Sequence, residues 1–149
     1  MGRSGGESMP AEQLKVLVVD DEKEYLGDFL SLFSIKAKGK YAIITANSGA
    51  EALQLLETTP VAVIVSDQRM PVMTGSQFFS EVAKLYPQTV RILLTGYADL
   101  DAVIEAVNRG EIYRYVNKDT PVVELQIVIE QGLGKFKMEE VNRQLISAK

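Results

Sequence analysis

The 149-residue sequence contains no cysteine and no histidine. The first absence removes disulfides, thiol nucleophiles and cysteine-based metal centres. The second removes the commonest general base, the commonest transition-metal ligand and any serine–histidine–aspartate triad. No stretch reaches the roughly 18 consecutive apolar residues of a membrane span, so none is expected. Nor is there an excess of basic charge: 16 Lys and Arg against 20 Asp and Glu leave a net charge of −4. That balance speaks against direct nucleic-acid binding by this domain. No glycine-rich phosphate loop follows the first strand pattern, which disfavours a nucleotide-binding α/β domain. What remains for chemistry is carboxylates, hydroxyls, lysine and arginine. Carboxylate oxygens favour hard cations such as Mg2+.

Apolar residues make up 46% of the chain, enough for the core of a single domain. Residues 1–12 (MGRSGGESMPAE) lack apolar periodicity and read as a flexible leader, or as a cloning scar ahead of a native start at Met9. Beyond them, short apolar runs alternate with helical patterns. Lys15–Val19 is the first strand, followed by a helix with Tyr25, Leu26, Phe29, Leu30, Leu32 and Phe33 on one side. Tyr41–Ala46 is the second strand. Ser48 and Glu51 have capping-box spacing ahead of the next helix, which Thr59-Pro60 ends. The third strand runs through Val63-Ile64-Val65 to Asp67, and its unbroken apolar character implies burial on both faces. Thr74 and Gln77 form a second capping box. Val90–Leu94 is the fourth strand, Asp99–Arg109 a helix stopped by Gly110, and Ile112–Val116 the fifth strand. Thr120 and Pro121 open the last helix. Five such alternations predict a doubly wound, five-stranded parallel α/β sheet with helices on both faces.

In an open parallel sheet the carboxyl ends of the strands share one edge, where ligands bind. That edge receives Asp20 and Asp21 from the first strand, Asp67 from the third, Thr95 from the fourth and Lys118 from the fifth. Taken singly, each has an ordinary reading as a cap, turn or loop residue. Together, three carboxylates on one rim repel one another and call for a cation. A carboxylate beside Mg2+, with a lysine and a hydroxyl near, suits the reception of a phosphoryl group, the carboxylate acting as nucleophile. Gly96, next to Thr95, leaves room for that group to approach.

The segments Val18-Val19-Asp20-Asp21-Glu22, Ser66–Gly75, Leu94-Thr95-Gly96-Tyr97 and Tyr115-Val116-Asn117-Lys118 resemble the receiver domain of bacterial two-component response regulators. The resemblance spans about Lys15 to Leu133. It implies a flavodoxin-like (βα)5 fold with strand order 2-1-3-4-5 and an extended C-terminal helix. It also implies that Asp67 is the phosphoacceptor, that Asp21, Asp67 and the Arg69 backbone carbonyl bind Mg2+, and that Asp20 acts mostly through bound water. Mn2+ is expected to substitute for Mg2+. Thr95 would be the switch hydroxyl, Lys118 the phosphate-binding lysine and Tyr115 the aromatic switch, moving as Thr95 turns toward the phosphoryl oxygen. Arg69 and Tyr97 would tune the lifetime of the phosphorylated state. The donor would be a histidine kinase or a phosphotransfer protein, and the lack of histidine excludes a self-contained histidine kinase. The family usually carries Lys-Pro where this chain has Lys118-Asp119, so an ordinary trans bond is expected there.

The expected organisation is a leader at 1–12, a receiver domain at 13–133 and a helical extension at 134–149, the last leading to an output domain. Gly132 and Gly134 interrupt the final helical pattern, and Met138, Val141, Leu145 and Ala148 then recur at three- and four-residue spacing. A homodimer is expected either through the helix 4–strand 5–helix 5 face or through this stripe. A cytoplasmic, non-membrane signalling module without turnover chemistry follows. The rival readings are a receiver-like interaction domain that is never phosphorylated and an aspartate-nucleophile phosphatase. The phosphatase needs a second acid two residues after the nucleophile, where Arg69 stands.

Overall fold

Each strand is short, and three of the five end on a polar residue at one shared edge: Asp67, Thr95 and Asn117. The computed structural model describes residues 13–147, so the expectations for the leader and for Ala148 fall outside the described residues. Along the chain run β1 (Leu14–Val19), α1 (Lys23–Ala37), β2 (Tyr41–Ala46), α2 (Gly49–Leu56), β3 (Val63–Asp67), α3 (Gly75–Leu85) and β4 (Val90–Thr95). A single 3-10 turn at Tyr97–Asp99 precedes α4 (Leu100–Asn108), and β5 (Arg114–Asn117) and α5 (Val122–Ser147) complete the fold. All pairings are parallel, in the order β2-β1-β3-β4-β5.

Strand periodicity divides the core. Val16, Val18, Val63, Val65, Ile92 and Leu94 face α1 and α5, joined by Phe29, Phe33, Leu125 and Ile129. Leu17, Val19, Ile64 and Leu93 face α2, α3 and α4, joined by Ala52, Phe78, Phe79, Val82 and Val103. Burial on both faces explains why β1 and β3 read as continuous apolar runs.

Helix starts follow the capping signals. Ser48 accepts the N–H of Glu51, while the Glu51 carboxylate takes the N–H of Asn47. Thr74 and Gln77 close a reciprocal box that starts α3. Between β3 and α3, Val72 adopts φ 70° as the Met73 N–H reaches the Pro71 carbonyl at 2.7 Å. Such a three-residue turn is strained for a β-branched residue.

Three boundaries differ from the sequence reading. The fifth strand lies two residues later at its start and reaches Asn117, because Arg114 pairs opposite Ile92. The helix expected from Asp99 begins as the 3-10 turn and becomes α-helical at Leu100. Gly132 and Gly134 do not break α5, which is continuous from Val122 to Ser147. Gly132 is buried against the sheet, and a Cβ there would lie 3.3 Å from Val63 Cγ2 and from Val90 Cγ1. It allows close approach of helix to sheet rather than ending the helix.

Candidate functional site: the acidic rim at the switch point

Register brings the site together. Val19 stands opposite Ser66, so the residues that follow them or stand next in line, Asp20 and Asp67, leave the sheet side by side. Thr95 stands opposite Asn117, which puts Lys118 at the same edge, and the Lys118 N–H donates to the Thr95 carbonyl at 3.0 Å. β1 lies between β2 and β3, so strand order reverses here. This is the crevice where doubly wound folds bind ligands.

Asp20, Asp21 and Asp67 each offer a carboxylate oxygen within 4.8 Å of the others. Asp20 is 0% and Asp67 5% exposed, whereas Asp21 is exposed. Lys118 Nζ lies 3.1 Å from Asp67 Oδ2 and donates to it. It also lies 3.4 Å from Asp20 Oδ2 and 3.7 Å from Glu22 Oε1. The Asp20 contact is within ion-pair reach but lacks hydrogen-bond alignment, so buried Asp20 Oδ2 has no hydrogen-bond partner among the described residues. Its other oxygen accepts the Glu22 N–H at 2.9 Å.

These surroundings move the protonation equilibria. Burial pushes the Asp20 carboxyl above its ordinary pKa; the Glu22 N–H opposes this, the Asp67 charge adds to it and Lys118 opposes it. Burial alone would lower the Lys118 ammonium, but the hydrogen bond and charge of Asp67, with the charge of Asp20, outweigh it and hold the pKa above the ordinary lysine value. The ammonium therefore stays charged, shared chiefly between Asp67 and Asp20 with Glu22 farther off. An orphaned buried oxygen and three clustered acids under-neutralised by one lysine fit a divalent cation with oxygen ligands.

The remaining expected residues are placed as follows. Thr95 is buried, with its hydroxyl donating to the Gly96 carbonyl at 3.1 Å rather than to any site group. The approach over Gly96 is open, with nothing within 4 Å of a Cβ built there. Tyr115 is 43% exposed on β5. Arg69 is exposed and pairs with Asp99 at 3.1 Å, joining the loop after β3 to the 3-10 turn. Tyr97 opens that turn, and its side chain lies outside the described set.

Three contributors escape motif reading. Gln68 is buried; its amide oxygen accepts the Ser76 N–H at 2.8 Å and its amide nitrogen donates to Ser76 Oγ at 3.0 Å. It clamps the loop that follows Asp67. Asp99 holds Arg69, and no spacing rule links positions so far apart in the chain. Tyr25 sits at the rim end of α1, with Lys118 Nζ 5.1 Å from its ring centroid. Its place on the apolar side of α1 was the only signal for it. Gly75 completes the geometry: a Cβ there would lie 2.4 Å from the Asp67 carbonyl oxygen, so only glycine lets α3 start this close to the rim.

A doubly wound five-stranded sheet with an acidic cluster and a lysine at its switch point is an α/β domain suited to holding a divalent cation beside an anion. The family profile described as the response regulator receiver domain matches residues 16–130, and the chain belongs to that family. It is 39% identical over 110 residues to the hydrogenase transcriptional regulatory protein HoxA of Cupriavidus necator, covering 74% of this chain and 22% of that protein. A receiver domain from Clostridium thermocellum is 31% identical with a TM-score of 0.77, covering 84% of this chain and 98% of that one. A structure described as an adenylate cyclase from Rhodopirellula baltica is 28% identical with a TM-score of 0.86, covering 93% of this chain and all of that chain. The chain spans about 21% to 29% of the length of these curated relatives. Receiver domains generally bind Mg2+ through acidic residues, and Asp20, Asp21 and Asp67 supply such a cluster here. No helix among the described residues is long and apolar enough to cross a membrane.

Proposed function

We propose that this receiver domain accepts a phosphoryl group on Asp67 from a phosphohistidine of a histidine kinase or phosphotransfer protein. The observation that carries the reading is the Lys118 ammonium, 3.1 Å from Asp67, on a rim where three carboxylates gather within 4.8 Å. An Asp67 oxygen attacks phosphorus as the phosphorus–nitrogen bond of the donor breaks. The imidazole leaves with that electron pair and takes up a proton. Lys118 turns from the carboxylate to a phosphoryl oxygen, and the Thr95 hydroxyl leaves the Gly96 carbonyl to donate to another. Asp21, Asp67 and the Arg69 carbonyl would hold Mg2+, or Mn2+ in its place, with Asp20 acting through water. When bound, the ion neutralises charge on the phosphoryl oxygens.

As Thr95 turns, Tyr115 moves inward from its exposed position, and the surface of α4, β5 and α5 shifts between two populations. Arg69 and Tyr97 tune the lifetime of the phosphorylated state; the exposed Arg69–Asp99 pair is weak enough to release Arg69 for this. The receiver is assigned to 13–133 and the extension from 134 onward leads to an output domain, as the greater length of the relatives supports. Those relatives are transcriptional regulators, which supports a cytoplasmic site of action.

Incubation with Mg2+ and acetyl phosphate, read by intact mass, tests the reading. A gain of one phosphoryl group, abolished by EDTA and by Asp67→Asn, is expected. No gain at saturating donor would favour an interaction domain that is never phosphorylated.

A further inference from the structure

We propose that Tyr25 is a positioning residue for Lys118, its ring face holding the ammonium over the Asp67 carboxylate. Three acids lie within ion-pair reach of this one ammonium, at 3.1 Å (Asp67), 3.4 Å (Asp20) and 3.7 Å (Glu22). A flexible four-carbon stem does not select among them by itself. The surrounding loop fixes the backbone and not the stem: the Lys118 N–H donates to the Thr95 carbonyl at 3.0 Å and the Asp119 N–H to the Asn117 side chain at 2.8 Å. The Tyr25 ring, with its centroid 5.1 Å from Nζ, adds the missing constraint. A ring face attracts a cation and sheds water from it without offering a competing anion.

The ring is itself held from below. Tyr25 tilts on Phe29 with centroids 6.1 Å apart, and Phe29 stacks on Phe33 at 4.1 Å. Spacing of four residues along α1 builds this ladder, and its lower two rungs are core residues. The half-buried Tyr25 ring is therefore fixed by the core while its upper part faces the rim. The ring face is the part that acts, so phenylalanine should serve in its place and an aliphatic residue should not.

The kinetic arm of the test rests on Asp67 being the phosphoacceptor; a structural arm does not. Tyr25→Phe, Tyr25→Leu and Tyr25→Met are made in the full chain, alone and with Lys118→Ala, and thermal melts confirm folding. In the structural arm, proton NMR reads the Lys118 ε-methylene. Upfield ring-current shifts are expected in wild type and Tyr25→Phe and should be lost in Tyr25→Leu and Tyr25→Met. In the kinetic arm, labelling by acetyl phosphate at saturating donor and Mg2+ should slow by about 5- to 30-fold in the two aliphatic variants and stay within about twofold in Tyr25→Phe, the range expected for a partly desolvated cation–π contact. The aliphatic substitutions should add nothing in the Lys118→Ala background. The proposal is overturned if the ε-methylene shift is unchanged in Tyr25→Leu, if Tyr25→Phe is as slow as Tyr25→Leu, or if the aliphatic effect persists without Lys118. Failure of the wild type to label would instead remove the phosphoacceptor reading, and the NMR arm would still decide the contact.

Discussion

Asp20 Oδ2 is a buried carboxylate oxygen with no hydrogen-bond partner among the described residues, a costly arrangement in a metal-free domain. Burial first, and the Asp67 charge as well, hold this carboxyl above its ordinary pKa, against the Glu22 N–H and Lys118. A native pKa above the unfolded value means the folded chain keeps a proton that the unfolded chain has released. The Asp20 contribution to stability is then complete below the unfolded pKa and is lost as pH rises through the native value. At pH 7, in EDTA, Asp20→Asn should melt at a higher temperature than wild type. The difference should close below about pH 4, where Asp20 is protonated in both states. Added Mg2+ should raise the wild-type melting temperature by mass action and leave Asp20→Asn much less changed. Melts at both pH values, with and without Mg2+, check all of these at once. A variant less stable than wild type at pH 7 in EDTA would contradict the assigned cost of burying this carboxylate.

Helix α5 carries two glycines with opposite duties, though both are helix-weakening residues in the sequence. Gly132 is pressed on the sheet, whereas a Cβ at Gly134 would meet nothing within 4 Å. Gly134→Ala should therefore stabilise by about 0.5–1 kcal/mol through helix propensity alone. Gly132→Val should destabilise by about 1–3 kcal/mol, because its branches would enter space filled by Val63, Val90 and Ile92. Urea unfolding of the two variants measures both signs, and equal effects would remove the distinction. The difference marks what the sequence could reveal at this scale. The five strands, the Thr74–Gln77 capping box, the Ser48 cap and the rim residues were legible because short apolar runs and capping chemistry are local signals. At Ser48 the box stays half closed, since Glu51 takes the Asn47 N–H instead. Register then made their convergence nearly obligatory. The close approach at Gly132, the Gln68 clamp, the Asp99 partner of Arg69 and the ring over Lys118 depend on tertiary neighbours, which no local pattern encodes. The start of β5 was misjudged for the same reason: Ile112 is buried, yet the ladder begins only where Arg114 meets Ile92.

At the scale of the whole molecule, α5 runs on past its last core residue, Leu133. Met138, Val141 and Leu145 are exposed along this extension at alternating three- and four-residue spacing. Lys135 pairs with Glu139, and Arg143 with Glu140 at 2.8 Å. Apolar residues at this spacing, flanked by ion pairs, have the pattern of a coiled-coil seam. A second copy of the chain presents the same stripe and is the partner expected here. The seam covers little more than one heptad, so pairing should be weak and depend on concentration. Sedimentation over a range of concentrations should reveal a monomer–dimer equilibrium that shifts toward dimer when beryllofluoride and Mg2+ mimic the phosphorylated state. Val141→Glu with Leu145→Glu should abolish the dimer. Because both side chains are exposed, each change should alter monomer stability by no more than about 0.5 kcal/mol. A monomer in both states across all concentrations would remove the dimer expected from this stripe.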